Sequence, residues 1–327
     1  MRYIAYGGDG SAASLHIEQA STPTPAPGQV LIEVHCAGVN RPDIMQRQGH
    51  YPAPPGASSV LGLEVAGVIA SLGEGVSGWQ VGQPVCALVP GGGYAEYCVT
   101  PAGQVLPIPR GLDMAQAAAL PEVWFTVWAN LVELAGLRAG ERLLVHGGSS
   151  GIGLAAIQLA GELGAEVVVT VGTPEKARFC VDFGARAAID YRREDFVAAV
   201  GELYGGEGLD VVLDMIGAAY LARNLRLLRR DGRLVFIAFQ QGSRGELDLR
   251  EILARRLHLT GSAMRPRSIA EKTAIRDALR QRIWPALESG RVRSHVHASF
   301  PMQEARGAHE LMERGEHIGK LVLQIRS

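Results

Sequence analysis

The sequence predicts an α/β fold: a mostly-β domain, then a doubly wound parallel sheet, then a return to the first domain. Three observations support this. The texture of the chain changes near Glu122, from short runs of alternating or β-branched residues punctuated by Gly and Pro to strands alternating with helices. Beyond that point the strands are apolar throughout, as a parallel sheet covered on both faces requires. The alternating run also opens on a bare stretch, VHGGSSGIG (Val145–Gly153), with four glycines and two serines between an apolar run and LAAIQLAGELGA.

Taken in order, VLIEVH, EVAGVIASL and AEYCVT read as strands of a barrel-like first domain, and the proline-rich pieces STPTPAPG and YPAPPGA read as short loops. Then come LLVHG, a helix over Ile152–Leu163, VVVTV, a helix from Pro174, AAID, and a helix near Asp195–Tyr204. DVVLDM follows, with a helix near Ala219–Arg229, RLVFIAF, a helix near Leu249–Arg256, and LHLTG. Six such strands make a doubly wound, dinucleotide-binding sheet. The tail from about Pro266 ends in KLVLQI, a strand with no helix after it, which returns to the first domain. The expected boundaries are 1–122, 123–265 and 266–327.

Composition narrows the partners. A chain of 327 residues is long for one core and comfortable for two. Lys plus Arg (32) and Asp plus Glu (33) nearly cancel, so there is no electrostatic footprint for nucleic acid or an anionic membrane, and a small neutral molecule is the expected partner. Cys36, Cys86, Cys98 and Cys180 are scattered, with no C-x-x-C and no His-rich neighbour to complete a metal site, and they read as reduced thiols. The start, MRYIAYGGDG, has no apolar signal region, and no apolar run approaches the roughly 20 residues of a membrane span. A cytoplasmic location is the expectation.

The bare stretch has a physical reading. Between a first strand and a first helix, the N–H groups of Gly148, Ser150, Gly151, Ile152 and Gly153 can cradle a pyrophosphate whose approach a Cβ would obstruct. Gly147, Gly151 and Gly153 also fit the turn of short-chain dehydrogenases, but those need a Tyr-x-x-x-Lys pair. Here Tyr191 is followed four positions on by Asp195, Tyr204 by Gly208 and Tyr220 by Asn224, so that class is rejected.

The end of the second strand, VVVTVGTPEKARF, decides which dinucleotide binds, because an acidic side chain there holds the ribose of NAD and a cation a 2′-phosphate. No carboxylate ends the strand. Gly172 and Thr173 lead into a helix with Pro174 at its first position, which is also an ordinary helix start. Lys176 is less ordinary, since a cation in the first turn opposes the helix dipole unless an anion is bound, although Glu175 can offset it locally. The balance favours NADPH.

As a whole the chain resembles the medium-chain dehydrogenase/reductase superfamily, and within it the NADPH:quinone oxidoreductase family, in the branch of the tumour-suppressor-inducible quinone oxidoreductase. GVNRPDIMQRQGHYPAPPGAS, LGLEVAGVI, GGGYAEY, LPEVWFTVW, HGGSSGIGLAAIQLA, TGSAMRPRS and HIGKLVL carry the resemblance, in the family's order and nearly end to end. It implies a GroES-like catalytic domain made from both chain ends with a Rossmann domain inserted between them. Zinc alcohol dehydrogenases share that fold, but where they place a zinc cysteine and a zinc histidine this chain has Asn40 and Leu63. Only Glu64 of their His-Glu pair remains, and GGGYAEY stands where they carry a four-cysteine lobe. An amide and an alkyl group cannot ligate zinc, so no metal is expected.

Without a Lewis acid to acidify an alcohol, hydride delivery to an already electrophilic acceptor is the easier chemistry, with the protein supplying proximity and a dry cleft. The resemblance places Asn40 against the nicotinamide ribose or the acceptor and Tyr51 at the acceptor mouth, each with a plainer reading as a turn residue or a wall. It places Thr126 near the phosphates, Tyr191 near the adenine end, and Phe239 and Met264 beside the nicotinamide, where a core role is the alternative. His146 reads as a strand-end histidine and Cys36 as buried in a strand. The leading reading is an NADPH-dependent quinone reductase. An enal or enone reductase, or an NADPH-binding protein with little turnover, are the others. The resemblance also implies a homodimer paired through LHLTGSA.

Overall fold

The computed structural model describes residues 1–326, which form two compact units: residues 1–125 together with 265–326, and residues 126–264.

In the first unit β1 (Arg2–Ala5) and β2 (His16–Gln19) form an antiparallel ribbon. The main sheet is built on β3 (Gln29–Val39), whose alternate residues Val30, Ile32 and Val34 are fully buried. β3 leads into the short helix α1 (Arg41–Arg47), followed by β4 (Glu64–Leu72), β5 (Pro84–Leu88), β6 (Tyr97–Pro101) and β7 (Val105–Pro107). Helices α2 (Met114–Ala118) and α3 (Pro121–Val127) lead toward the second unit.

The second unit alternates strand and helix: β8 (Arg142–His146), α4 (Gly151–Leu163), β9 (Glu166–Val171), α5 (Pro174–Asp182), β10 (Ala187–Asp190) and α6 (Phe196–Tyr204). β11 (Leu209–Asp214), α7 (Leu221–Leu227), β12 (Leu228–Phe236), α8 (Leu249–Arg255) and β13 (His258–Gly261) complete it. The six strands are parallel in the order β10-β9-β8-β11-β12-β13, the doubly wound arrangement the sequence predicts. The core of this sheet is Leu144, Val168, Val212 and Leu234, with Phe196, Val200 and Leu225 packed on it.

Two boundaries differ from expectation. The helix expected to reach Arg229 stops at Leu227, and β12 begins at Leu228 rather than at Arg233. The cause is local: Asp231 takes a left-handed turn (φ 62°), and the pairing of β11 with β12 shifts register between Leu209 and Val211.

The chain returns to the first unit through α9 (Ile269–Arg282), α10 (Trp284–Glu288), β14 (Val296–Pro301), α11 (Ala305–Arg314) and β15 (Lys320–Gln324). β15, read in advance from KLVLQI, pairs antiparallel with β3, Leu321 opposite Val39, and so carries Lys320 beside the end of β3. The sheet order is β14-β15-β3-β4-β5-β7, with β6 also on β3. All four cysteines are free and buried. Among the described residues no helix is long and apolar enough to cross a membrane.

Candidate active site

In the second unit, β8 ends at His146 and the backbone turns at Gly147 with φ 72°. Ser150 caps α4, its hydroxyl accepting from the Gly153 N–H at 3.1 Å. A Cβ on Gly148 would come within 2.3 Å of the Val169 Cβ, and one on Gly153 within 2.2 Å of the Gly148 carbonyl oxygen. Glycine is therefore obligatory at both positions for the turn to lie against β9 and for α4 to start so close to it. The N–H groups of Gly151 and Ile152, at the head of a 13-residue helix, have no intrahelical acceptor. With the helix dipole behind them they suit a pyrophosphate, whereas the N–H groups of Gly148, Ser150 and Gly153, also expected as donors, are taken by the Thr170 carbonyl, the Gly147 carbonyl and the Ser150 hydroxyl. His146 takes no part in this cradle. It is fully buried, its Nδ1 2.9 Å from the Thr170 hydroxyl and its Nε2 2.8 Å from the Asn224 Oδ1, and burial pushes it down to about 4.

β9 ends at Val171 with no carboxylate after it. The Thr173 hydroxyl accepts from the Lys176 N–H at 3.2 Å, so the cap and the first-turn cation share one turn. Tyr191 joins them: a Cβ on Gly172 would lie 2.9 Å from its hydroxyl and 3.4 Å from the Arg192 Nε. Gly172, Thr173, Lys176 and Tyr191 thus converge at one strand end. The Thr126 carbonyl accepts from the Asn130 amide at 2.8 Å, and the Asn130 Oδ1 accepts from the Ser262 hydroxyl at 3.0 Å. Phe239 is 54% exposed, with its ring 5.8 Å from that of Phe236, so it is not a core residue, whereas Met264 is buried. No hydrogen bond among the described residues ties Thr126, Phe239 or Met264 to the glycine turn.

The first unit holds a dense polar cluster. Asn40, at the end of β3, is buried with its Nδ2 donating to Glu64 Oε1 at 2.9 Å and its Oδ1 accepting from Lys320 Nζ at 2.6 Å. Since a carboxylate only accepts and an ammonium only donates, these partners fix the amide's orientation. Lys320 Nζ also lies 2.6 Å from Glu64 Oε1 and donates to the Val39 carbonyl at 3.2 Å. Gly38 makes room for this arrangement, because a Cβ there would sit 2.1 Å from Glu64 Oε1. The other oxygen of Glu64 accepts from the Glu122 N–H at 2.9 Å. Leu63 is buried.

Asp43 accepts from the backbone N–H of Asn40 at 2.8 Å, from that of Gly62 at 3.0 Å, and from the Tyr94 hydroxyl at 3.3 Å. Burial pushes its carboxyl up to about 6 despite those donors. Behind it, Tyr94 Oη lies 3.1 Å from His309 Nε2, and His309 Nδ1 3.0 Å from Arg47 Nη1. A guanidinium can only donate, so Nδ1 accepts and Nε2 carries the proton: a one-way relay from Arg47 to Asp43.

Tyr51 sits on the loop after α1, and that loop is held by Arg265. The Arg265 guanidinium donates to the carbonyls of Pro90 (2.8 and 3.0 Å), Tyr51 (3.4 Å) and Pro52 (3.5 Å) and to the Gln46 side chain (2.9 Å), and its Cζ lies 5.4 Å from the centre of the Tyr51 ring. The Tyr51 hydroxyl has no protein partner, and burial pushes it up to about 12. Among the described residues no group of three or more His, Cys, Asp or Glu side chains is placed to hold a metal ion.

Two family models match this chain, an alcohol dehydrogenase GroES-like domain over residues 26–110 and a zinc-binding dehydrogenase over residues 151–280. The rat protein described as quinone oxidoreductase is 32% identical over 305 residues, which is 92% of this chain and 90% of that one. The chain belongs to the quinone oxidoreductase family of medium-chain dehydrogenases/reductases.

Among solved structures, Escherichia coli quinone oxidoreductase complexed with NADPH superposes with a TM-score of 0.88 at 28% identity, covering 99% of this chain and 100% of that one. The CurK enoyl reductase superposes with a TM-score of 0.85 at 28% identity, covering 99% and 98%. Asn40 and Leu63 lie within the stretch matched by the GroES-like model. The ammonium of Lys320 is the cation that lies against Asn40 and Glu64.

The sequence singled out the glycine turn, Thr173, Lys176, Asn40 and Tyr51. It missed Lys320, Glu122, Arg265 and the Arg47–His309–Tyr94–Asp43 relay. Local spacing carries no signal for these, since Lys320 and Asn40 lie 280 positions apart.

Proposed function

We propose that the protein is an NADPH-dependent reductase of quinones that works without a metal. The observation that carries the reading is the kinship with quinone oxidoreductases over 92% of the chain, one structural relative of which was solved with NADPH. The glycine turn and the Gly172–Thr173–Lys176–Tyr191 strand end fit such a cofactor, with Lys176 as the partner of its 2′-phosphate. When bound, NADPH supplies the hydride. The chain's own residues then bind and orient: Gly151 and Ile152 give their N–H groups to the pyrophosphate and Gly148, Ser150 and Gly153 shape the turn around it, with Thr126 beside it and Tyr191 at the adenine end. Phe239 and Met264 flank the nicotinamide. Asn40, immobilised by Glu64 and Lys320, keeps one amide hydrogen and one lone pair for the ribose or the acceptor. Tyr51 offers its unpartnered hydroxyl to an acceptor oxygen.

The likeness to an enoyl reductase favours a second reading, in which the acceptor is a conjugated enone. A panel of ortho- and para-quinones, enones and simple alcohols, run with NADPH or NADP⁺ before and after a strong chelator, decides between them. Fast quinone reduction that survives chelation is expected. NADP⁺-dependent oxidation of alcohols, or activity lost with stoichiometric zinc, overturns the proposal.

Pairing of two copies through β13 extends the reading. β13 is an edge strand with one neighbour, and the preceding helix α8 exposes Leu249 (70%) and Leu253 (83%). Light scattering that gives a single-chain mass at micromolar concentration overturns the dimer.

A further inference from the structure

We propose that Glu122 is the general acid that protonates the reduced acceptor. The proposal rests on the reductase reading and adds to it the source of the proton. Glu122 opens α3, with its N–H held by Glu64. Its own carboxyl has no hydrogen-bond partner in the protein and remains partly exposed, so water can reach it. The other acids of the cluster are spent: Glu64 on Lys320, Asn40 and the Glu122 N–H, and Asp43 on two backbone N–H groups and Tyr94.

The charged groups facing Glu122 come from every side: Glu64 on β4, Asp43 near the start of α1, Lys320 on β15 and Lys272 on α9. Tyr51 and Arg265 face it as well. The cations are engaged elsewhere. Lys320 binds Glu64, Asn40 and Val39; Lys272 donates to the Arg265 carbonyl at 2.8 Å; Arg265 spans Pro90, Gln46 and the Tyr51 loop. Glu122 is thus an acid among acids with no cation bound to it. Burial, followed by the charge of Glu64, pushes its carboxyl up to about 8.

Tyr51 is the rival donor and loses on the same grounds. Its phenol, pushed up to about 12, holds its proton at neutral pH, whereas an acid near 8 is protonated there and gives the proton up readily. Tyr51 therefore donates a hydrogen bond and Glu122 the proton. The step balances. The quinone gains a hydride, which leaves the cofactor oxidised, and one acceptor oxygen becomes anionic. The Glu122 O–H bond breaks, its proton forms the new O–H bond of the hydroquinone, and its electron pair stays on the carboxylate, which is reprotonated from water.

The test combines kinetics with a direct titration. In wild type, kcat/KM should be flat at low pH and fall above about 8 as Glu122 ionises. Glu122→Gln should lower kcat roughly 100- to 10,000-fold and abolish that limb, while the dissociation constant for NADPH and the melting temperature hold. Glu122→Asp should retain the limb at reduced rate. Infrared difference spectra of the purified protein without cofactor should show one protonated-carboxyl band lost near pH 8 in wild type and missing from Glu122→Gln. If that variant does not fold, the wild-type band and its midpoint still decide. An unchanged kcat and pH limb in Glu122→Gln, or no carboxyl titrating between about pH 7 and 9, above Asp43 and Asp214 near 6, overturns the proposal and leaves the reductase reading intact. A wild type that reduces no quinone or enone overturns the reductase reading first.

Discussion

Replacing Lys320 by Met tests the most buried charge pair of the first unit. The Lys320 and Glu64 side chains are 7% and 0% exposed, and the ammonium's three hydrogens meet three acceptors, Glu64 Oε1, Asn40 Oδ1 and the Val39 carbonyl. Methionine has a similar length and no charge, so Lys320→Met leaves a carboxylate in a dry site and removes a donor from two further acceptors. Breaking a buried pair from one side costs about 3–5 kcal/mol. Glu64 still receives the Asn40 amide and the Glu122 N–H, each at 2.9 Å, which places the expected loss at about 3 kcal/mol. The assay is the denaturant midpoint followed by tryptophan fluorescence, with Trp124 and Trp284 reporting from the first unit.

The cycle is completed by Glu64→Gln and the double variant. Once the carboxylate is gone, removing the ammonium should cost at least about 2 kcal/mol less than in wild type. The deficit of Lys320→Met should also narrow on acidification, because a proton can replace the lost ammonium. Additivity within about 0.5 kcal/mol, or a loss under about 1 kcal/mol for Lys320→Met alone, would refute the reasoning.

Lys176→Ala should weaken NADPH roughly ten- to a hundredfold and NADH hardly at all in a fluorescence titration, because the 2′-phosphate proposed to meet the ammonium is carried by NADPH and not by NADH. Tyr51→Phe should lower kcat for quinones roughly 10- to 1,000-fold with NADPH affinity unchanged; an unchanged rate reduces Tyr51 to a wall. His309 tests the relay through pH. Burial, aided by Arg47, holds it down to about 3. The unfolded chain therefore takes up a proton near 6.5 that the folded one refuses, and stability falls as pH drops below about 6.5. His309→Gln, which can still accept from Arg47 and donate to Tyr94, should lose roughly 2 kcal/mol less than wild type between about pH 6.5 and 4.5 by chemical denaturation. Comparing the two proteins is essential, since Asp43 and Asp214, each pushed up to about 6 chiefly by burial, act with the opposite sign over the same range. Equal losses in the two proteins would sink the assignment.

What the sequence could show follows from the range of the interactions. β8 to β13 were legible because an all-apolar strand and an amphipathic helix are local patterns, and the glycine turn because its steric demands lie within a few residues. The end of α7 was not legible, since LARNLRLLRR keeps a helical pattern past Leu227 and the turn at Asp231 is a requirement of sheet register. Asn40 and Tyr51 were reached by motif, but not what holds them. The ammonium on Asn40 arrives on β15 and the guanidinium on the Tyr51 loop from residue 265, after the chain has traversed the second unit.

The same long-range arrangement decides the chemistry of the acids. Asp43, Glu64 and Glu122 look alike in sequence, each near a motif and each next to an apolar residue. The fold separates them by the donors it brings. Glu64 receives an ammonium and two N–H groups; Asp43 receives two backbone N–H groups and a phenol. Glu122 receives none, and the committed charge of Glu64 beside it raises its proton affinity further. Lys320, paired with Glu64, works the other way and draws Glu122 down. One ion pair thus anchors Asn40 and, through its uncompensated neighbour, keeps a proton in reserve at neutral pH. That division of labour needs a half-buried acid with no partner, reached by water on one side and by the charge of Glu64 on the other.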